Sequence, residues 1–137
     1  MTRLLGWRVA LAAEIERHRR LPFAWGENDC VVFAADCVTA VTGEDPAAEI
    51  RGRYRTAIGA RRLLKKLGDD LPVGITARFD SIHPSRARIG DLALTPSADA
   101  SFTEGALGIV TGAVVTVVAP NGLGAVPLSS AIAAWRV

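Results

Sequence analysis

A chain of 137 residues, half of them hydrophobic and 22% charged, with a net charge of +2, has the size of one domain and enough apolar content for a core. That balance excludes a disordered chain, and no apolar run approaches the roughly 18 to 20 residues of a membrane span. Glu14, Glu16 and Arg17 interrupt the N-terminal apolar block too early for a signal peptide, which predicts a protein folded in the cytoplasm.

From Leu4 to about Arg20, the positions Leu4, Trp7, Leu11 and Ile15 recur at helical spacing with charge opposite. This predicts an amphipathic first helix with His18 at its polar end. LPFAWGEND follows as a loop, because Pro22 and Gly26 break regular structure. A second helix is predicted from Cys30 to about Val41, capped by Asn28 or Asp29 and stopped by Gly43. It is apolar nearly all round, so it should be the buried central helix. Asp36 is the exception and has to be edge-exposed or hydrogen-bonded. Cys30 and Cys37 would lie about 10 Å apart on this helix, too far for a disulfide. With only His18 and His83 to add, the ligand spacings of a structural zinc site are missing, and no metal or cofactor is expected.

A short helical turn is expected after Pro46 and a third helix from about Thr56 to Leu67, with Leu63, Leu64 and Leu67 turned inward. Leu71 to Arg88 reads as irregular. DLALT, ALGIVTG, AVVTVVA and GAVPL then read as short strands of an antiparallel sheet. Helices first and strands later define an α+β fold, N-terminal helices packed on a C-terminal sheet, in one domain over 1–137. Fifteen of the sixteen Lys and Arg residues precede Ile89, most densely from Arg51 to Lys66. That stretch suits a nucleic-acid surface or a solvated helix face; Tyr54 is its lone aromatic, which favours the solvated face.

The stretch PFAWGENDCVVFAADCV carries the chemistry. A cysteine in the first turn of a helix meets unpaired N–H groups and the positive end of the helix dipole, which stabilise a thiolate. Gly26 would let the loop backbone approach that sulfur, while the Asp29 carboxylate would work against the thiolate. Cys30 is therefore a candidate nucleophile or a buried structural thiol, and Cys37 reads as core.

These residues resemble the NlpC-type, papain-like cysteine peptidases that cut bacterial cell-wall peptides. The family's aromatic-X-Trp-Gly loop and Asp-Cys helix start match Phe23, Trp25, Gly26, Asp29 and Cys30. Its Gly-Asp strand opening matches Gly90 and Asp91, and its Gly-His-Val-Gly-Ile-Tyr strand matches GALGIV, Gly105 to Val110. The chain is also similar to small NlpC-related proteins encoded in phage tail-gene clusters. The resemblance implies a papain-like fold with Cys30 as nucleophile. The family's catalytic histidine, however, falls on Ala106, its third polar residue falls near Val118, and Val31-Val32 replace Ser-Gly. A thiol without a general base loses about 10²- to 10⁴-fold of assistance.

The leading expectation is thus a non-catalytic NlpC-like structural or binding protein of a phage tail tip. It would assemble in the host bacterial cytoplasm and meet other tail-tip proteins or cell-wall peptide. One alternative is an active peptidoglycan-cleaving peptidase or amidase, using Cys30 with His83 or a partner-supplied base. The other is a nucleic-acid-binding protein acting through Arg51 to Lys66, ranked last.

Overall fold

In the computed structural model, residues 2–68, 70–97 and 105–137 are described. Four helices come first: α1 (Trp7–His18), α2 (Cys30–Thr42), α3 (Ala57–Gly68) and α4 (Leu71–Thr76). Six strands follow: β1 (Asp80–Ile82), β2 (Leu92–Thr95), β3 (Ala106–Val110), β4 (Val114–Ala119), β5 (Gly122–Pro127) and β6 (Ala133–Arg136). They form one sheet in the order β1-β6-β2-β3-β4-β5, every neighbouring pair antiparallel. This is the expected α+β arrangement.

The pleat explains how the sheet serves two layers. Side chains alternate across a strand, so Leu92, Leu94, Leu107, Ile109 and Trp135 turn into the large core beneath the helices. Their neighbours Ala93, Val110 and Ala134 turn to the other face, with Val115, into a smaller apolar layer. That layer is closed by Ile82, Ala87, Leu128 and Ala131 on and beside the 3-10 turns Pro84–Arg86 and Leu128–Ser130. Helix α2 lies at the centre of the large core, with Phe33, Cys37, Val38 and Val41 fully buried. Asp29 caps its start and Gly43, at φ 80°, ends it.

The segment after Pro46 makes the expected single turn, with the Arg51 N–H donating to the Ala47 carbonyl at 3.1 Å. Other expectations need correction. The region read as irregular contains α4, β1 and a 3-10 turn: Asp70 caps α4 by accepting from the Val73 N–H at 2.8 Å, and Pro72 sits where a helix start needs no N–H donor. Strand β6 was not expected and lies between β1 and β2. On the third helix Leu63 is buried and Leu64 half-buried; the expected inward turn of Leu67 concerns a side chain outside those described. No helix among the described residues is long and apolar enough to cross a membrane.

Candidate active site

The start of α2 is held by one buried carboxylate. Asp29 Oδ1 accepts from the Val32 N–H at 2.9 Å, and Oδ2 accepts from the Gly26 N–H at 2.8 Å and the Tyr54 hydroxyl at 2.5 Å. Three donors on one carboxylate satisfy a group that is only 1% exposed. Asp29 thus joins the 23–28 loop, the helix start and the segment leading to α3. The close approach at Gly26 is to the Tyr54 backbone. Gly26 sits at φ 81°, and a Cβ there would lie 2.1 Å from the Tyr54 carbonyl oxygen, so its small size serves the Tyr54 backbone. Phe23 and Trp25 stack edge to face at 4.8 Å on the same loop.

Cys30 follows directly. The residue is partly exposed and unpaired, as is the buried Cys37. The Cys30 sulfur lies near the Leu107 backbone N–H of β3, which favours its charged form. Beside it, Trp25, Ile50, Tyr54, Leu63 and Leu64 enclose a recess of only about 10 Å³, about the minimum for one water. Burial pushes the Cys30 thiol up to about 12, the Asp29 charge adds to this, and the N–H groups of Leu107, Val31 and Cys30 oppose it. A thiol held there is protonated at neutral pH and a poor nucleophile. Burial likewise pushes the Tyr54 hydroxyl upward, and the Asp29 charge and hydrogen bond reinforce it, so it stays a donor.

Ala106, on which the sequence resemblance places a histidine, begins β3 beside this contact. Leu107 and Ile109 enter the helix-facing core and Val110 the opposite layer, so by alternation the Ala106 methyl turns to the opposite layer as well. Val118 on β4 packs against the large core as an aliphatic group. Neither supplies a proton acceptor.

The two histidines lie elsewhere. His83 is exposed, and its Nδ1 accepts from the Ser85 N–H at 3.1 Å and contacts the Ser85 hydroxyl at 2.7 Å, capping its own 3-10 turn. It follows edge strand β1, which β6 and β2 separate from β3; three strand spacings amount to roughly 14 Å. The structure does not bring His83 to Cys30.

His18 is fully buried, not solvated at a polar helix end. Its Nδ1–H donates to Asn28 Oδ1 at 2.8 Å, an assignment that follows because Asn28 Nδ2 already donates to the Leu21 and Pro22 carbonyls. Its Nε2 lies 2.8 Å from Asp36 Oδ2 and 3.1 Å from Glu14 Oε1. Nε2 also lies 3.1 Å from Arg17 Nη2. Burial alone would lower the His18 pKa, but the hydrogen bonds to Asp36 and Asn28 outweigh that and hold it above the usual 6.5. Asp36 also meets Arg51 at 2.6 Å and Arg17 at 3.0 Å. Burial opposes its charge too, yet the hydrogen bonds from His18 and Arg51 hold it below the usual carboxylate value. Asp36 is therefore hydrogen-bonded, and Arg51 is withdrawn from the expected solvated stretch.

Glu14, His18 and Asp36 place donor atoms within 4.8 Å of one another. The contacts are those of shared protons, and the Arg17 guanidinium sits 2.5 Å from Glu14 and 3.0 Å from Asp36. A divalent cation would have to displace that guanidinium, so the cluster reads as an ion-paired clamp of α1 on α2. The Gly90-Asp91 pair is also structural: the fully buried Asp91 carboxylate accepts from the Arg88 and Val137 N–H groups and from Arg3, and Arg136 Nε lies 3.1 Å away as an ion pair. Sequence reasoning missed Tyr54, Asn28 and His18 as site-building residues. The one signal was a lone tyrosine inside a basic stretch.

A family model described as Domain of unknown function (DUF6950) matches residues 2–137. The fold is also that of a crystal structure of the NlpC/p60 domain of the peptidoglycan hydrolase SagA, which is 19% identical with a TM-score of 0.61, over 98% of this chain and 100% of that one. No curated protein matches the chain. The chain belongs to the DUF6950 family and has an NlpC-like fold.

Proposed function

For this member of the DUF6950 family with an NlpC-like fold, we propose a non-catalytic structural or binding role, with the peptidase scaffold kept and its chemistry lost. The observation that carries this reading is the surroundings of Cys30: a thiol pushed up to about 12, a recess of about 10 Å³, and no imidazole within reach. Both histidines of the sequence are engaged elsewhere, His18 in the α1–α2 clamp and His83 at its own turn. The likeness to a peptidoglycan hydrolase domain makes cell-wall peptide the first ligand to test. The motif resemblance to phage-encoded NlpC-related proteins supports a place at a tail tip, against other tail proteins.

The test is incubation of the purified chain with peptidoglycan, following release of free amino groups, beside a binding measurement with soluble cell-wall peptides. Binding without release is the expected result. Release that disappears in Cys30→Ala would overturn the reading. Recovery of the protein in purified phage tails, seen by antibody labelling, tests the tail-tip placement separately.

A further inference from the structure

Helix α2 carries small side chains where it faces α4, and α4 carries a glycine in its middle. Between them lies a cavity of about 260 Å³. Its floor is Leu92 of β2 and Leu107 of β3, and its walls include Ala35, Val38, Leu71 and Ile75. All of these are apolar, and most are buried members of the large core. Protein interiors are close-packed, with few voids larger than a water. An enclosed apolar cavity of about 150 Å³ binds benzene; this one is partly open to solvent.

Among the described residues, the polar groups in the lining are Glu49, Asp70 and Arg78. Asp70 is committed to capping α4. Glu49 and Arg78 are 3.8 Å apart and largely exposed, so their pairing is weak and easily opened. Among the described residues, two carboxylates against one guanidinium disfavour an anionic head group, whereas a hydroxyl or amide can accept from Arg78 and donate to Glu49.

We propose that this cavity binds a hydrocarbon group carrying a neutral hydrogen-bonding head. Scaling from the benzene-sized cavity gives a capacity of roughly ten carbon atoms. The site is separate from the closed recess beside Cys30, so it stands whether or not that thiol is inert. It shares Val31, Ile50 and Leu64 with the recess wall.

Alkan-1-ols from butanol to dodecanol, titrated into the full chain by calorimetry, test this directly. Each added methylene should tighten binding about fourfold, from roughly 0.8 kcal/mol per buried methylene. The gain should stop near ten carbons. Decanoate should bind more weakly than decanol. Gly74→Leu is the blocking variant: a Cβ at Gly74, which lines the cavity, meets no atom within 4 Å, so the side chain can enter without strain and the helix gains propensity. It should keep its Tm or raise it, and bind decanol at least tenfold more weakly. Ala35→Leu fills the cavity from α2 and should act in the same direction. Absence of saturable alkanol binding, or a chain-length series left intact in both filled variants, would overturn the proposal.

Discussion

Alkylation of Cys30 against pH is the sharpest test of the inert-thiol reading. Burial and the adjacent Asp29 carboxylate carry this thiol from an ordinary 9.0 up to about 12. At pH 8 a thiol of pKa 9 is about 10% thiolate, while one at 12 is about 0.01% thiolate, a difference of roughly a thousandfold in the reactive form. Iodoacetamide labelling, followed by peptide mass spectrometry, separates Cys30 from Cys37. The same chain in guanidinium supplies the reference profile. Steric closure slows both protonation states alike, so the midpoint, not the absolute rate, is diagnostic. The native rate should still be climbing at pH 10, while the denatured reference levels off near its ordinary midpoint. A native plateau with a midpoint at or below about 8.5 would refute the reasoning, because it would mean the helix N-terminus dominates the sulfur.

Three further outcomes follow from the residues around it. Tyr54→Phe removes one of three donors from the buried Asp29 and should cost about 1.5–3 kcal/mol, read from urea unfolding. Gly26→Ala combines a left-handed backbone with a Cβ only 2.1 Å from the Tyr54 carbonyl, and should cost at least about 3 kcal/mol by the same measurement. His18 has a folded pKa raised above its unfolded value, so its contribution is fully present below about pH 6.5 and is lost as pH rises through the folded value. Urea midpoints should therefore fall on the alkaline side of 6.5, and His18→Asn should flatten that limb; an equal slope in the variant would assign the effect to another group.

Local signals made much of the fold legible. The cap at Asp29, the apolar run of α2 and the stop at Gly43 lie within 15 residues, and each acts on its own neighbourhood. Strands β2 to β5 carry apolar runs between turn residues and were read in place. The failures have separate causes. Strand β6 is only four residues, AAWR, and takes its place from pairing with β1 and β2, not from its own pattern. Strand β1 is three residues long, with its first two exposed at the sheet edge. Helix α4 holds both Pro72 and Gly74, which read as breakers; position rescues the first, and packing against α3 and the core overrides the second.

At the candidate site the sequence supplied the residues but not the sign of their effect. A cysteine after aspartate at a helix start looks activated, since a helix N-terminus is worth up to about 2 kcal/mol, or roughly thirtyfold in acidity. The cover over that start decides the outcome. Ile50, Tyr54, Leu63 and Leu64 reach the sulfur from a segment 20 to 34 residues away, and burial, with Asp29, more than offsets the dipole and the N–H groups. His18 shows the same logic in reverse. In sequence it sits among arginines and looks solvated, yet Asn28 and Asp36, from a loop and a different helix, engage its two ring nitrogens and bury it. The two side chains thus take different places: Cys30 lies under the cover of the helix start, and His18 ties α1 to α2 through Asp36.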